Sequence, residues 1–223
     1  MTIPKTIYIC NKELSEKFTN YSNQWLVLNP EYEVKLYDNE LCEKFLLEEF
    51  SQLHCDIFKF IVDGPIKSDF WRCCILYKYG GVYVDADIKP LLPLREVIDE
   101  DSQFVTCLSY YGGFNLHFIM ANPGEPILDY LINKYVEYYT TQKEYDYWPW
   151  SICRIFDVYT NETKILNNNE YNKEGIYYIN DKKYQLLTDV FGDHYYDNHC
   201  AYNNKRLFYT RTDVWNSEGH HFW

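Results

Sequence analysis

SDFWRCCILYKYGGVYVDADI, residues 68–88, passes from a helix-spaced run through Gly80-Gly81 into an alternating segment that ends in two aspartates. Before the glycines, Phe70, Cys73, Cys74, Leu76 and Tyr77 supply a packing surface, while Asp69 and Arg72, three residues apart, share a face. The spacing predicts a helix over 66–79, with Gly64-Pro65 breaking the chain before it. Gly80 suits the left-handed conformation that ends a helix, and Gly81 lets the chain turn at once into a strand. In that strand Tyr83, Asp85 and Asp87 project to one side and Val82, Val84, Ala86 and Ile88 to the other. Both carboxylates then emerge at the strand's carboxyl end, where open α/β sheets take their ligands.

The flanking sequence extends the same pattern. TIYIC (6–10) reads as a buried strand, followed by a helix over 14–28 that stops at Asn29-Pro30. EVKLYD (33–38) alternates as a second strand, and Asp38 or Asn39 caps a helix over 40–50. FVTCLS (104–109) reads as a buried strand and PILDYLINKYVEYY (126–139) as an amphipathic helix. GIYYI and YQLLT, separated by 180–183, form a hairpin; 160–172 reads as loops, and the tail from 193 has weak periodicity. The order predicts an α/β layered sheet flanked by helices, in one domain over residues 1–223.

With 223 residues and 47% hydrophobic content, the chain has enough apolar material for one large core. A net charge of −12 repels nucleic acid and anionic membranes, so any anionic ligand must be held by local cations or a metal. The opening MTIPKTIYIC is not a signal sequence, and no apolar run is long enough for a transmembrane segment, which reads as a cytoplasmic chain. Eight cysteines without a C-x-x-C pair read as buried reduced thiols rather than as disulfides or a zinc site. The 19% aromatic content reads as core more than as a sugar-stacking surface.

Two aspartates converging beside apolar strand residues repel each other unless a cation neutralises them. A hard divalent ion with oxygen ligands does so, Mn2+ or Mg2+ fitting best because each also takes phosphate oxygens and water. A diphosphate ester is the natural partner. A phosphatase with a D-x-D nucleophile is the competing chemistry, but its pair follows the first strand, whereas this one sits at 85–87.

IPKTIYI near the start, SDFWRCCILYKYGGVYVDADI and NLHFIMANPGEPIL together resemble glycosyltransferase family 32 over nearly the whole chain. The resemblance implies a GT-A type fold with a mixed, mostly parallel sheet, a nucleotide-sugar donor (UDP-linked favoured, GDP-mannose second), a glycan or glycoconjugate acceptor, a divalent metal and transfer with retention. Carried over by position, Asp85 and Asp87 are the metal-binding and catalytic pair, Asp87 as ligand and Asp85 at the ribose or sugar and the metal's waters. Asp69 and Arg72 hold sugar hydroxyls, Ile3, Pro4 and Tyr8 line or support the nucleobase pocket, and Asn115 lies near the sugar. His220, His221 and Trp223 in the closing GHHFW match a His-His-aromatic cluster, with the pair as further metal ligands and Trp223 on a lid over the donor. YWPWS (147–151) stands where the family has a Thr-Gly-Pro turn. An inactive, carbohydrate-binding scaffold is the alternative of another class.

Overall fold

The computed structural model describes residues 2–110, 112–142, 144–166, 173–193 and 197–210. Its elements run β1 (Thr6–Cys10), α1 (Glu16–Leu28), β2 (Glu33–Tyr37), α2 (Asn39–Glu49), α3 (Gln52–Phe60), α4 (Gly64–Tyr79), β3 (Gly81–Val84) and β4 (Lys89–Pro90). There follow β5 (Phe104–Leu108), β6 (Phe114–Ala121), α5 (Pro126–Thr141), α6 (Tyr147–Trp150), α7 (Ile152–Thr163), β7 (Gly175–Ile179), β8 (Lys182–Val190), β9 (His199–Tyr202) and β10 (Lys205–Tyr209).

Local chemistry explains many of these boundaries. Asp38 caps α2, its carboxylate accepting the Leu41 N–H at 2.8 Å, and Ser15 caps α1 through Phe18 N. Pro65 sits in the first turn of α4, where its missing N–H costs nothing, so Gly64-Pro65 opens this helix as well as breaking the chain before it. Asn180-Asp181 and Asn203-Asn204 all have positive φ, and each pair makes the tight turn of an antiparallel hairpin, β7–β8 and β9–β10.

The strands form one sheet in the order β2-β1-β3-β6-β5-β8-β9-β10-β4, with β7 paired to β8. Its two faces are both covered. On one, α2 to α7 pack a core that includes Leu46, Phe70, Trp71, Leu131, Tyr135 and Phe156. On the other, α1 and the segment around Leu94 cover Ile7, Ile9, Val82, Val105, Met120 and Phe208. Val82 and Val84 face the second core and Tyr83 the first, so the alternation read from residues 82–84 holds.

The mixed sheet flanked by helices is as expected, but it is not mostly parallel. β1 runs parallel to β2 and β3, and β5 to β8, while the other pairings among the described residues are antiparallel. The reason is connection length. The chain between β5 and β6 is too short for a crossover, and turns of two residues join β7 to β8 and β9 to β10, so these neighbours must run antiparallel. Residues 160–163, read as loop, finish α7 instead, and the aperiodic tail contains β9 and β10.

Gly80 makes the step from α4 to β3 possible. Its φ of 64° and ψ of −164° lie in a region that only glycine occupies readily, and a Cβ there would stand 2.6 Å from Pro123 Cδ and 2.9 Å from the Ala121 carbonyl oxygen. Gly80→Ala is therefore expected to lose about 2–5 kcal/mol from strain and overpacking combined. Urea unfolding measures it; a loss under about 1 kcal/mol is the result that contradicts this account.

Candidate active site

Strand β3 ends at Val84, so Asp85, Ala86 and Asp87 do not continue it but form a turn closed by the Ile88 N–H on the Asp85 carbonyl at 3.2 Å. The Asp85 N–H is bound in turn by the His117 carbonyl of β6 at 3.0 Å. The D-x-D pair thus sits at the carboxyl end of a central strand, on a turn with both ends tied down. Tyr21 adds a hydrogen bond to the Asp87 carbonyl at 3.3 Å.

Beneath it lies a buried charge cluster. Arg72 Nη2 is 2.8 Å from Asp85 Oδ1 and 3.0 Å from Asp69 Oδ1, and the Tyr83 hydroxyl donates to Asp85 Oδ1 at 2.9 Å. The rest of the guanidinium is held by the Leu116 carbonyl at 2.6 Å, by the Ser68 carbonyl and hydroxyl, and by stacking over Tyr83, 4.2 Å from the ring centre. Arg72 is 3% exposed. A cation so enclosed does not present its fork to a ligand; it fixes the Asp85 carboxylate through Oδ1 and leaves Oδ2 as the oxygen for a partner.

Asp69 binds Arg72 through one oxygen and the Ile152 N–H, at the start of α7, through the other at 3.1 Å. Burial pushes its carboxyl up to about 6, against the pull of Arg72 and the Ile152 N–H, with Asp85 adding to the rise. The folded protein therefore takes up this proton before the unfolded chain, whose group titrates near 3.8. The corresponding stability is fully present below about pH 4 and is lost as pH rises through about 6. Asp69→Asn removes that dependence, up to about 3 kcal/mol between the two limits. Unfolding free energies of wild type and variant, taken stepwise from pH 4 to 7, are expected to converge or separate accordingly; parallel curves would sink the assignment.

Around the turn lies a cleft of about 310 Å³, lined by Asn11, Asp69, Asp85, Asp87, Asn115 and Tyr147 among others. A second hollow of about 260 Å³ shares Asp85, Asp87, Asn115 and His117, and adds Asp189 and Thr210. The two meet at the D-x-D turn. Asp69, Arg72, Asp85, Asp87 and Asn115 are therefore brought together.

Other expected residues are not. Ile3 and Pro4 stand at the opposite end of β1, because β1 runs parallel to β3 and Pro4 lies beside Gly81, before the D-x-D strand; Cys10 and Asn11 occupy the cleft end. Tyr8 is 4% exposed in the helix-side core against Tyr37, and burial with Tyr37 nearby pushes its phenol up to about 12. It supports the strand from below and does not line the cleft. His220, His221 and Trp223, and with them the expected lid, lie outside the described residues.

Several lining residues had no sequence signal strong enough to single them out. Asn11 follows the carboxyl end of β1, where the general rule for α/β sheets places ligand groups, and that rule alone points to it. Tyr147 and Ser151 belong to the YWPWS segment, which α6 brings to the cleft wall. His117 depends on a register shift between β5 and β6, where Thr106 pairs with Ile119 but Cys107 with Asn115; no periodicity reveals such a bulge. Burial alone would lower the His117 imidazole, but the facing Asp189 carboxylate, with Cys200 and Asp85 beyond, lifts it to about 9.

Known proteins are similar to this chain in part of its sequence and in its fold. The family described as "Glycosyltransferase sugar-binding region containing DXD motif" matches residues 15–104. An initiation-specific alpha-1,6-mannosyltransferase of Candida albicans is 26% identical over 110 residues, 46% of this chain and 29% of that protein. An inositol phosphoceramide mannosyltransferase 3 of Schizosaccharomyces pombe is 31% identical over 90 residues, 39% of this chain and 24% of that protein. The matched part spans less than a third of either relative's length. Among solved structures, the PaToxG glycosyltransferase superposes with a TM-score of 0.54 at 18% identity, covering 77% of this chain and 76% of that one. Residues 15–104, then, are similar to the glycosyltransferase sugar-binding region containing the DXD motif, and the chain shares its GT-A type fold with a solved glycosyltransferase.

Proposed function

We propose that this protein is a metal-dependent, retaining glycosyltransferase that moves a sugar from a nucleotide-sugar donor, UDP-linked in first place, to a glycan or glycoconjugate acceptor. The observation that carries the reading is the D-x-D turn at the end of β3, with Asp85 locked by Arg72 and Tyr83 at the junction of two hollows. Two hollows meeting at one acidic turn suit a reaction with two substrates. The reading takes residues 1–223 as one acting unit and places it in the cytoplasm, where reduced cysteines persist.

The donor set fits a hard divalent ion: two carboxylates on one turn, one of them with an oxygen not engaged by Arg72 or Tyr83. Asp87 and Asp85 would hold Mn2+ or Mg2+, which when bound supplies positive charge to the diphosphate leaving group. The chain's own residues do the remaining work. Asp85 is held in one orientation by a buried cation, so no reorganisation accompanies the reaction. Asn115 donates to Asp189 Oδ2 at 2.8 Å, which orients its amide at the same junction. Asp69 is engaged through both oxygens, so it is not free to attack an anomeric carbon; a retaining transfer here then has departure and attack on one face of the sugar.

A GDP-mannose donor is the second reading, favoured by the two mannosyltransferases named above. The test is a panel of nucleotide sugars with Mn2+, scored by slow donor hydrolysis, beside calorimetry of UDP and GDP. Mn2+-dependent hydrolysis of UDP-sugars supports the first reading and of GDP-mannose the second. Binding of glycans with no response to any nucleotide would overturn both in favour of a carbohydrate-binding scaffold.

A further inference from the structure

Behind the D-x-D turn, four neighbouring strands bring one side chain each to a single point. Cys107 comes from β5, His117 from β6, Asp189 from β8 and Cys200 from β9, and one ligand atom from each lies within 4.8 Å of the others. Cys107 Sγ and Cys200 Sγ are 3.1 Å apart, and His117 Nε2 is 3.6 Å from Asp189 Oδ1. Cys107 and Cys200 are fully buried, and His117 is 7% exposed.

Two polar atoms in this cluster have no hydrogen bond. His117 Nε2 and Asp189 Oδ1 are both sealed from solvent, and their 3.6 Å separation is too long to count as one. A buried polar atom left in this state costs about 1–3 kcal/mol, so a native fold normally gives it a partner. Meanwhile Asn115 Nδ2 holds Asp189 Oδ2 at 2.8 Å, the kind of outer contact that aims the other carboxylate oxygen at a ligand.

We infer that Cys107, His117, Asp189 and Cys200 form a tetrahedral site for one Zn2+, separate from the hard-ion pair Asp85 and Asp87. The donor chemistry separates the two sites. Two thiolates and an imidazole select a borderline-soft ion, whereas carboxylates alone select Mn2+ or Mg2+. Tetrahedral zinc at ordinary bond lengths places its ligand atoms about 3.3–3.8 Å apart. The His117–Asp189 separation already meets this, and the two sulfurs, at the upper end of that range when both bind zinc, have to spread by about 0.7 Å to do so.

Binding releases the two thiol protons and the extra proton of the His117 imidazolium to solvent, so the ion meets two thiolates, a neutral imidazole and a carboxylate; no electron transfer is involved. All four positions come from the protein, which makes the site structural rather than catalytic. Its place gives it a purpose in the fold. The bulge between β5 and β6 that presents His117 is also the stretch whose His117 carbonyl holds the Asp85 N–H at 3.0 Å, so an ion fixing His117 fixes one end of the D-x-D turn. Cys107 and Cys200 are 93 residues apart, so no short motif announces the site.

The test uses the full chain and three probes. Wild-type protein is expected to hold one zinc by metal analysis, and its Co2+-substituted form to show thiolate-to-cobalt charge-transfer absorption. Cys200→Ser is expected to lose the charge-transfer band and most of the bound zinc, and His117→Gln to weaken zinc at least about tenfold by chelator competition. Asp87→Asn is the control: it removes the proposed hard-ion ligand and is expected to keep both zinc and the cobalt band. Zinc that disappears with Asp87→Asn belongs to the D-x-D turn and overturns the inference. So does a wild-type chain without zinc or cobalt band, or one whose mass and thiol count show a Cys107–Cys200 disulfide. Because these readouts are metal content and absorption, they stand whether or not transferase activity is found.

Discussion

Asp87→Asn is expected to lower turnover by about 10²–10⁴-fold while leaving the melting temperature within a few degrees of wild type. The reasoning starts from where Asp87 sits. It is half-buried on a turn at the rim of two hollows, and the turn itself is closed by backbone hydrogen bonds, Ile88 N to the Asp85 carbonyl and Asp85 N to the His117 carbonyl, together with Tyr21 on the Asp87 carbonyl. None of those bonds uses the Asp87 carboxylate. The substitution leaves those backbone bonds in place and removes one unit of negative charge, and the expected loss of turnover is the loss at a bound cation and at the leaving group that the cation neutralises. Several kcal/mol of transition-state stabilisation, at 1.36 kcal/mol per tenfold, gives the range stated. Donor hydrolysis measured with Mn2+ checks it. Full activity in the variant, or wild-type activity that survives a chelator, refutes the metal assignment.

For Arg72 the expectation runs the other way, with the larger effect on the fold. Arg72→Met leaves Asp69 and Asp85 side by side without the cation that both contact at 3.0 and 2.8 Å, and leaves the Leu116 carbonyl without its 2.6 Å donor. Breaking a buried ion pair by removing one partner costs about 3–5 kcal/mol, which for a chain of this length lowers the melting temperature by about 6–20 °C. Arg72→Lys keeps the charge, but one ammonium cannot reach Ser68, Leu116, Asp69 and Asp85 together. It is expected to be less damaged in stability and still at least tenfold slower, since Asp85 loses its fixed orientation. Thermal melts and donor hydrolysis of both variants decide. A Met variant that melts with wild type would mean the cluster contributes nothing, and a Lys variant at full rate would mean the planar fork is dispensable.

The N-terminal half of the fold was legible because local signals there agree with the tertiary structure. The 68–88 stretch carries a helix, a glycine stop and a strand in order, and the structure differs only in ending the strand at Val84, one residue before the acidic pair. Asp38 was readable as a cap and is one. The Asn180 hairpin was readable too. Asn203-Asn204 carried the same turn signal, but flanking runs of four and five residues, HCAY and KRLFY, are too short for alternation to register. In β6 the alternation of FNLHF gives way after five residues to the apolar run FIMA, and the strand is buried almost throughout, so its period is short.

At the site, the division is between groups carried on one segment and groups assembled from several. Asp69, Arg72, Asp85 and Asp87 lie within 19 consecutive positions, so their spacing exposed them. A sequence shows that Arg72 shares a face with Asp69, but not that Arg72 is only 3% exposed. His117, Asp189 and the two cysteines come from four strands and converge through one bulge, which only three dimensions display.

The pairing of β10 with β4 has a consequence for biosynthesis. Lys89 and Pro90, directly after the D-x-D turn, find their partners in Tyr209 and Phe208, about 120 residues later. At a synthesis rate of about 5–20 residues per second, the ribosome needs roughly 6–24 s to deliver that partner. Throughout that interval the nascent chain holds its acidic turn framed on one side by β3 and open on the other. Pro90 is well chosen for the wait, since a residue without an N–H is a poor template for a stray strand. Loop closure over so long a span comes late, so the segment that completes the frame of the acidic turn arrives among the last steps of folding.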